Sequence, residues 1–219
     1  MEKFRHIDTW VFDLDNTLYD ADTGVFDQII ARMTLYVCNL LGVSREEANA
    51  LRRGYWEKYG TTLYGLMQEH KIDPQDFLDF AHDVDISAVT PCAVVRDGLA
   101  RLPGRKVVFT NSSQAFTARM TRHLGIDRHF DGVFAIEDAG FLPKPHPETY
   151  RAIAGKFAFA PDRAAMFDDM QVNLKTAADL GMTTVWIHRG REAEGGTPPH
   201  IHHKAEKLAD WLKETAPGA

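Results

Sequence analysis

Two aspartates two residues apart, Asp13 and Asp15, close an apolar segment in the run Val11-Phe12-Asp13-Leu14-Asp15-Asn16-Thr17-Leu18-Tyr19. If Ile7 to Phe12 is a strand, both acids emerge at its C-terminal end, where open α/β sheets place their ligands. Alternation along an extended chain points them the same way. Two anions held that close repel each other, so a cation or a shared proton must relieve them. The chemistry implied is metal-assisted or acid–base. Standing alone, the pair reads more readily as the start of a loop, but three further motifs accompany it. Thr110-Asn111 follows Val107-Val108-Phe109, Lys144 lies in Leu142-Pro143-Lys144-Pro145-His146-Pro147, and Asp168-Asp169 precedes Asn173 by four residues.

The elements that must position these groups follow from hydrophobic periodicity. After the first strand, Phe26, Ile29, Ile30, Met33, Val37, Leu40 and Leu41 recur at helical spacing, and Gly42 stops that helix. Ser44-Arg45-Glu46-Glu47 is a capping-box pattern, and Asp73-Pro74 supplies an N-cap and a first-position proline for a helix through Phe77, Leu78 and Phe80. Residues 20–90 therefore read as an all-helical insert.

From Pro91 the pattern alternates. A short helix (Val94 to Leu102) precedes a strand from Lys106 to Thr110, and a helix runs from Gln114 to Gly125. A strand from Gly132 to Ile136 leads through the Gly/Pro-rich loop Gly140 to Pro147 into another helix. A strand from Ala164 to Phe167 is followed by a helix ending at Gly181 and a strand from Thr183 to Ile187. This is the signature of α/β architecture: a doubly wound, mainly parallel Rossmann-like sheet whose strand C-termini carry the chemistry. The expected organisation is a core of residues 1–19 and 91–219 with a helical cap at 20–90. The segment from Arg189 to Pro199, rich in Gly, Pro and charge, reads as a mobile loop.

Composition sets the outer bounds. Across 219 residues, 44% are hydrophobic and 26% charged, enough for a proper core. A net charge of −6 opposes non-specific nucleic-acid binding, and no basic run points to a membrane surface. Neither a signal peptide nor a transmembrane segment is expected. Cys38 and Cys92 lack metal-ligand spacing and read as core or near-core thiols of a reducing cytoplasm. His200, His202 and His203 suggest a metal cluster, but they follow a flexible loop and lack a companion motif, so no metal site is assigned to them.

With four motifs in the loops after successive strands, the chain resembles the haloacid-dehalogenase-like superfamily of phosphohydrolases over nearly its whole length. That resemblance implies a phosphate-monoester hydrolase working through an aspartyl-phosphate. Asp13 is the expected nucleophile and Asp15 the acid and base. Thr110 is expected to hold the phosphoryl oxygens and Lys144 to neutralise charge. Several carboxylates and a phosphate facing one lysine call for a hard divalent cation, and Mg2+ suits an oxygen-ligand site. By resemblance its ligands are Asp13, the Asp15 carbonyl and Asp169, with Asp168 a further or water-bridged partner. Two positions depart from the superfamily: Asn16 replaces a common glycine, and Asn173 a common acid.

The insert, with Tyr59-Gly60-Thr61-Thr62-Leu63-Tyr64-Gly65-Leu66 and the stretch from Phe80 to Asp85, looks like the pyrimidine 5′-nucleotidase branch. Asp15 to Tyr19, Phe109-Thr110-Asn111 and Glu137 to Phe141 agree with it. The resemblance implies a nucleoside monophosphate such as UMP or CMP as substrate. Asn111, Thr17, Tyr59, Thr61, Thr62, Tyr64 and His82 are the expected substrate contacts. The tyrosines could instead pack between helices. The rival readings are a phosphoglycolate or sugar-phosphate phosphatase with the same core residues, a haloacid dehalogenase, and a non-catalytic binding protein. Oligomeric state is not legible from the chain.

Overall fold

Strand β1 (Thr9–Phe12) is buried along its whole length, the condition of a central strand covered on both faces. In the computed structural model, which describes residues 2–191 and 196–215, it pairs in parallel with β2 (Arg105–Phe109) and with β4 (Ala164–Asp168). Strands β3 (Gly132–Phe134), β5 (Thr183–Ile187) and β6 (His203–Ala205) complete a six-stranded parallel sheet of order β3-β2-β1-β4-β5-β6. Strand order reverses beside β1, which makes the C-terminal ends of β1, β2 and β4 the switch point where such sheets bind ligands.

Alternation along the strands divides the core into two layers. Trp10, Phe12, Ala165 and Phe167 face one side and Val11, Val107, Phe109 and Met166 the other. Helices α5 (Ala93–Arg101) and α6 (Gln114–His123) help cover the first side, and α7 (Pro147–Phe157) and α8 (Gln171–Asp179) the second. Helix α9 (Leu208–Thr215) closes the first layer, its Trp211 ring meeting Phe167 at 4.6 Å and Trp10 at 5.6 Å.

Between β1 and α5 the chain forms α1 (Val25–Leu41), α2 (Arg45–Tyr59), α3 (Thr62–His70) and α4 (Pro74–Ala81). The caps act as the residue types dictate: Gly42 ends α1 at φ 66°, Ser44 and Glu47 form a complete capping box on α2, and the Asp73 side chain caps α4 ahead of Pro74. These helices share a hydrophobic cluster of Val37, Ala48, Leu63, Leu66, Phe77, Leu78 and Ala81, joined by Ile136 from the loop after β3.

Several expectations need amendment. Helix α3, strand β6 and helix α9 were not anticipated. Cys38 packs partly buried against the helical cluster as expected, but Cys92 is exposed. It occupies the N-cap of α5, whose buried face begins only at Val95. The expectation of a mobile loop from Arg189 to Pro199 falls partly on residues 192–195, outside the described residues. Among the described residues, no helix is long and apolar enough to cross a membrane.

Candidate active site

The Asp13 backbone N–H donates to the Phe167 carbonyl at 2.9 Å, which extends the β1–β4 ladder by one residue and fixes the carboxylate at the sheet edge. The chain then turns, with the Leu18 N–H donating to the Leu14 carbonyl at 3.0 Å and Asn16 at φ 59°. Asparagine is one of the few side chains that tolerate this left-handed conformation, which accounts for its standing where glycine is common. The turn delivers Asp15 to the same cavity as Asp13. There Asp15 accepts from the Tyr19 hydroxyl at 2.5 Å and the Ser112 hydroxyl at 2.6 Å.

From the end of β2, Asn111 clamps the backbone of Lys144. Its Oδ1 accepts from the Lys144 N–H at 2.8 Å, and its Nδ2 donates to the Lys144 carbonyl at 3.2 Å. Lys144 is 2% exposed, and its ammonium donates to Asp13 Oδ1 (2.7 Å), Asp168 Oδ2 (2.8 Å) and the Phe109 carbonyl (2.9 Å). All three of its protons are thereby used. Thr110, almost fully buried, accepts from the Ser112 N–H at 3.0 Å, leaving its own hydroxyl proton as a donor.

The two acids after β4 have different surroundings. Asp168 accepts from Lys144, from the Met170 N–H at 2.8 Å, and from Asn173 Nδ2 at 3.1 and 3.0 Å on its two oxygens. An amide at position 173 thus donates to Asp168 where an acid would add a further charge. Asp169 Oδ2 takes Arg189 at 3.0 Å and Arg191 at 3.3 Å, and the Asp169 carbonyl accepts from the Trp186 indole at 3.1 Å.

Burial dominates the electrostatics. It pushes the Asp13 carboxyl well above the usual carboxylate range; the Lys144 charge opposes this, and Asp168, Asp15 and Asp169 reinforce it. Burial pushes Asp169 up to about 6 and Asp168 adds to it, against the pull of the two arginines. For Lys144, burial works against the charged form, but Asp13 and Asp168 outweigh it and hold the ammonium above its ordinary range. Carboxylate oxygens of Asp13, Asp168 and Asp169 lie within 4.8 Å of one another. An all-oxygen set with excess buried negative charge fits a hard divalent cation of the Mg2+ type.

A cavity of about 670 Å3 opens between these loops and the helical insert. It is lined by Asp13, Asp15, Asn111, Lys144 and Asp169, and on the insert side by Tyr59, Thr61, Thr62 and His82. Thr17, Tyr64, Thr110 and Asp168 are not on its wall; Thr17 lines a separate cavity of about 310 Å3. Structural duties occupy several expected contacts. Thr61 caps α3 by accepting from the Tyr64 N–H at 3.1 Å, and buried Thr62 donates to the Arg52 carbonyl at 3.4 Å. The Tyr59 hydroxyl donates to Glu69, and its ring meets Tyr64 edge-on at 6.4 Å, while Tyr64 meets His146 at 5.8 Å. His82 stacks on Phe116 at 4.7 Å and shares a 3.1 Å hydrogen bond with Ser113; burial lowers its pKa to about 4.

Four contacts of the site went unread in the sequence. Tyr19 and Ser112 had a usable signal, standing four residues after Asp15 and two after Thr110. Arg189 and Arg191 belong to no motif. Two of the three clustered histidines have packing partners: the Thr184 N–H donates to His202 Nδ1 at 3.0 Å, and His203 packs on Phe4 at 4.6 Å.

An open parallel sheet with acids at its switch point and a helical insert after the first strand is the haloacid-dehalogenase-like architecture. A family model described as haloacid dehalogenase-like hydrolase matches residues 7–181, and the chain belongs to that family. It is 32% identical over 200 residues to phosphate metabolism protein 8 of Saccharomyces cerevisiae, covering 81% of this chain and 60% of that protein, so it spans less than two thirds of that relative. It is 26% identical over 193 residues to the GMP/IMP nucleotidase YrfG of Escherichia coli, covering 82% of each. Among solved structures, a HAD phosphatase from Thermococcus onnurineus superposes with a TM-score of 0.65 at 16% identity, over 95% of this chain and 97% of that one. An L-2-haloacid dehalogenase from Xanthobacter autotrophicus gives 0.61 at 18% identity, over 97% and 100%. At these identities both structures speak for the fold alone.

Proposed function

We propose that the protein is a Mg2+-dependent phosphate-monoester hydrolase acting through an aspartyl-phosphate on nucleoside monophosphates. The observation that carries this reading is the buried Lys144 ammonium bridging Asp13 and Asp168 beside a third carboxylate, Asp169, at the floor of a cavity large enough for a nucleotide. Asp13 attacks phosphorus as the ester P–O bond breaks, and Asp15 gives its proton to the departing oxygen. Asp15 then takes a proton from the water that attacks the aspartyl-phosphate, releasing phosphate and regenerating Asp13. Tyr19 and Ser112 orient Asp15 for both steps. Lys144, on the cavity wall, faces charge on the phosphoryl oxygens, and Thr110, behind the wall, fixes the Ser112 backbone beside it. Asp13, the Asp15 carbonyl and Asp169 would hold Mg2+, which neutralises phosphoryl charge when bound. Asp168, with both oxygens engaged by Lys144 and Asn173, serves chiefly to position the lysine.

Residues 20–90 are proposed as a cap that shelters the reaction and recognises the leaving group. The branch resemblance favours UMP and CMP, and the name of the E. coli relative adds GMP and IMP to the profile to be measured. A cavity of this size exceeds what phosphoglycolate needs, and a dehalogenase would have no use for Asp15 as an acid.

Asp13→Asn should abolish turnover of both a nucleotide and an aryl phosphate in Mg2+ and form no phosphoenzyme, while retaining its unfolding transition. Wild-type rates from that variant would overturn the nucleophile assignment.

A further inference from the structure

One pair on the cavity wall is unaccounted for by the reaction just described. Arg52 and Trp56 stand four residues apart on α2, hence on one helix face, and both line the 670 Å3 cavity. The Arg52 Nε is buried and has no hydrogen-bond partner among the described residues. Burial and then the neighbouring Arg53 act against its charge, with no carboxylate offsetting them. Trp56 leaves 48% of its surface exposed although it is among the largest apolar side chains of the chain. Between them they offer a π face and a planar fork of donors that contains no acceptor.

The two Nη groups are not so enclosed and make no hydrogen bond among the described residues, so acceptors that a ligand brings to them offset the cost that burial places on the charge. The shape required is a flat ring bearing two adjacent acceptors. Guanine and hypoxanthine present O6 beside N7, the usual bidentate target of arginine, and cytosine presents O2 beside N3. Adenine sets an amino donor next to N7, and uracil sets an N3–H donor between its two carbonyls. Both therefore turn a donor toward a donor.

We propose that Arg52 and Trp56 form the clamp for the leaving-group base, Trp56 stacking on the ring and Arg52 donating two hydrogen bonds to adjacent acceptors, so that GMP, IMP and CMP are preferred over AMP and UMP. This rests on the nucleotide reading above and narrows it: CMP stays among the preferred substrates, and UMP, which the branch resemblance favours, does not. The two residues fail differently when removed. Losing the fork erases discrimination between bases, whereas losing the stacking face weakens all bases together.

The experiment is kcat/KM for the five nucleotides and an aryl phosphate with Mg2+, on wild type, Arg52→Ala, Arg52→Lys and Trp56→Ala, with guanosine and adenosine as competing ligands and thermal unfolding as the fold control. Arg52→Ala should cut the GMP-over-AMP preference by about 10- to 100-fold. Arg52→Lys keeps the charge without the fork and should lose most of the same preference, which serves as the test even where the alanine variant folds poorly. Trp56→Ala should raise KM for all five nucleotides by a similar factor, about 5- to 100-fold, and weaken guanosine and adenosine alike. AMP and UMP equalling GMP and CMP in the wild type would overturn the clamp. So would an unchanged GMP:AMP ratio in folded Arg52 variants while nucleotides remain good substrates, and that result would leave the nucleotide reading standing. Aryl-phosphate turnover with no nucleotide turnover would overturn both.

Discussion

Lys144 shows how one residue can organise a site. Its ammonium sits between Asp13 and Asp168 with its third proton on the Phe109 carbonyl, a trigonal set that the planar fork of arginine does not match. His82 illustrates the opposite case, a titratable group kept neutral by packing. With a folded pKa of about 4 against 6.5 in the open chain, it is lowered first by burial, and Asp15 pulling it up is opposed by Arg119. The sign follows directly: above about pH 6.5 both states are neutral and nothing is lost. Below it the unfolded chain takes a proton that the folded state refuses until near pH 4, so stability falls in that window. By pH 5 the loss is about 2 kcal/mol. Urea unfolding of wild type and His82→Gln at pH 7.5 and pH 5 should therefore shift in favour of the variant by about that amount, the other groups cancelling in the comparison. A constant difference across this range would refute a neutral His82.

At the scale of elements, the insert depends on a close approach between α2 and α3. A Cβ on Gly65 would lie 2.5 Å from Tyr55 Cβ and 2.6 Å from its Cγ, so Gly65→Ala should force the helices apart or the tyrosine off its rotamer. The expected cost is about 1–3 kcal/mol, read as a lower urea midpoint; an unchanged midpoint would mean that the two helices slide freely. This contact also explains why α3 escaped the sequence. Gly60 and Thr61 lie between α2 and α3 outside either helix, and Thr62 and Gly65 are poor helix formers that packing rather than propensity makes helical. Strands β2, β4 and β5 and the caps at Gly42, Ser44 and Asp73 were legible because hydrophobic runs and cap chemistry are local signals. Strand β6 is three residues long with no apolar alternation, His203-Lys204-Ala205, and gains its identity only by pairing with β5. Helix α9 did carry a signal, with Leu208, Trp211 and Leu212 at helical spacing. In the site, the carboxylates and lysine were readable because four loops converge on one sheet edge. The use of Arg189 and Arg191 on Asp169 is set by tertiary geometry and was not.

For the whole molecule, a net charge of −6 and three clustered carboxylates at the switch point mean that the folded state carries repulsion at its centre that Lys144, Arg189 and Arg191 relieve only in part. A divalent cation that binds this cluster only when the strands are assembled must stabilise the entire fold, by RT ln(1 + [Mg2+]/Kd). At about one hundred times Kd this is about 2.7 kcal/mol, or roughly 5–10 °C in Tm for a chain of this size. Wild type should show that rise over its value in chelator, with no substrate present. Each variant is compared with its own chelated baseline, because Asp168→Ala also unties Lys144 and lowers stability by itself. Asp169→Ala should lose most of the Mg2+-induced rise, since Asp169 has an oxygen that neither arginine occupies. Asp168→Ala should retain more of it, since both Asp168 oxygens are already committed to Lys144, Asn173 and the Met170 N–H. A reversed order would make Asp168 the principal ligand and Asp169 a partner of the arginines. Equal Tm with Mg2+ and with chelator in the wild type would remove the metal from the centre of the molecule and with it the proposed relief of its charge.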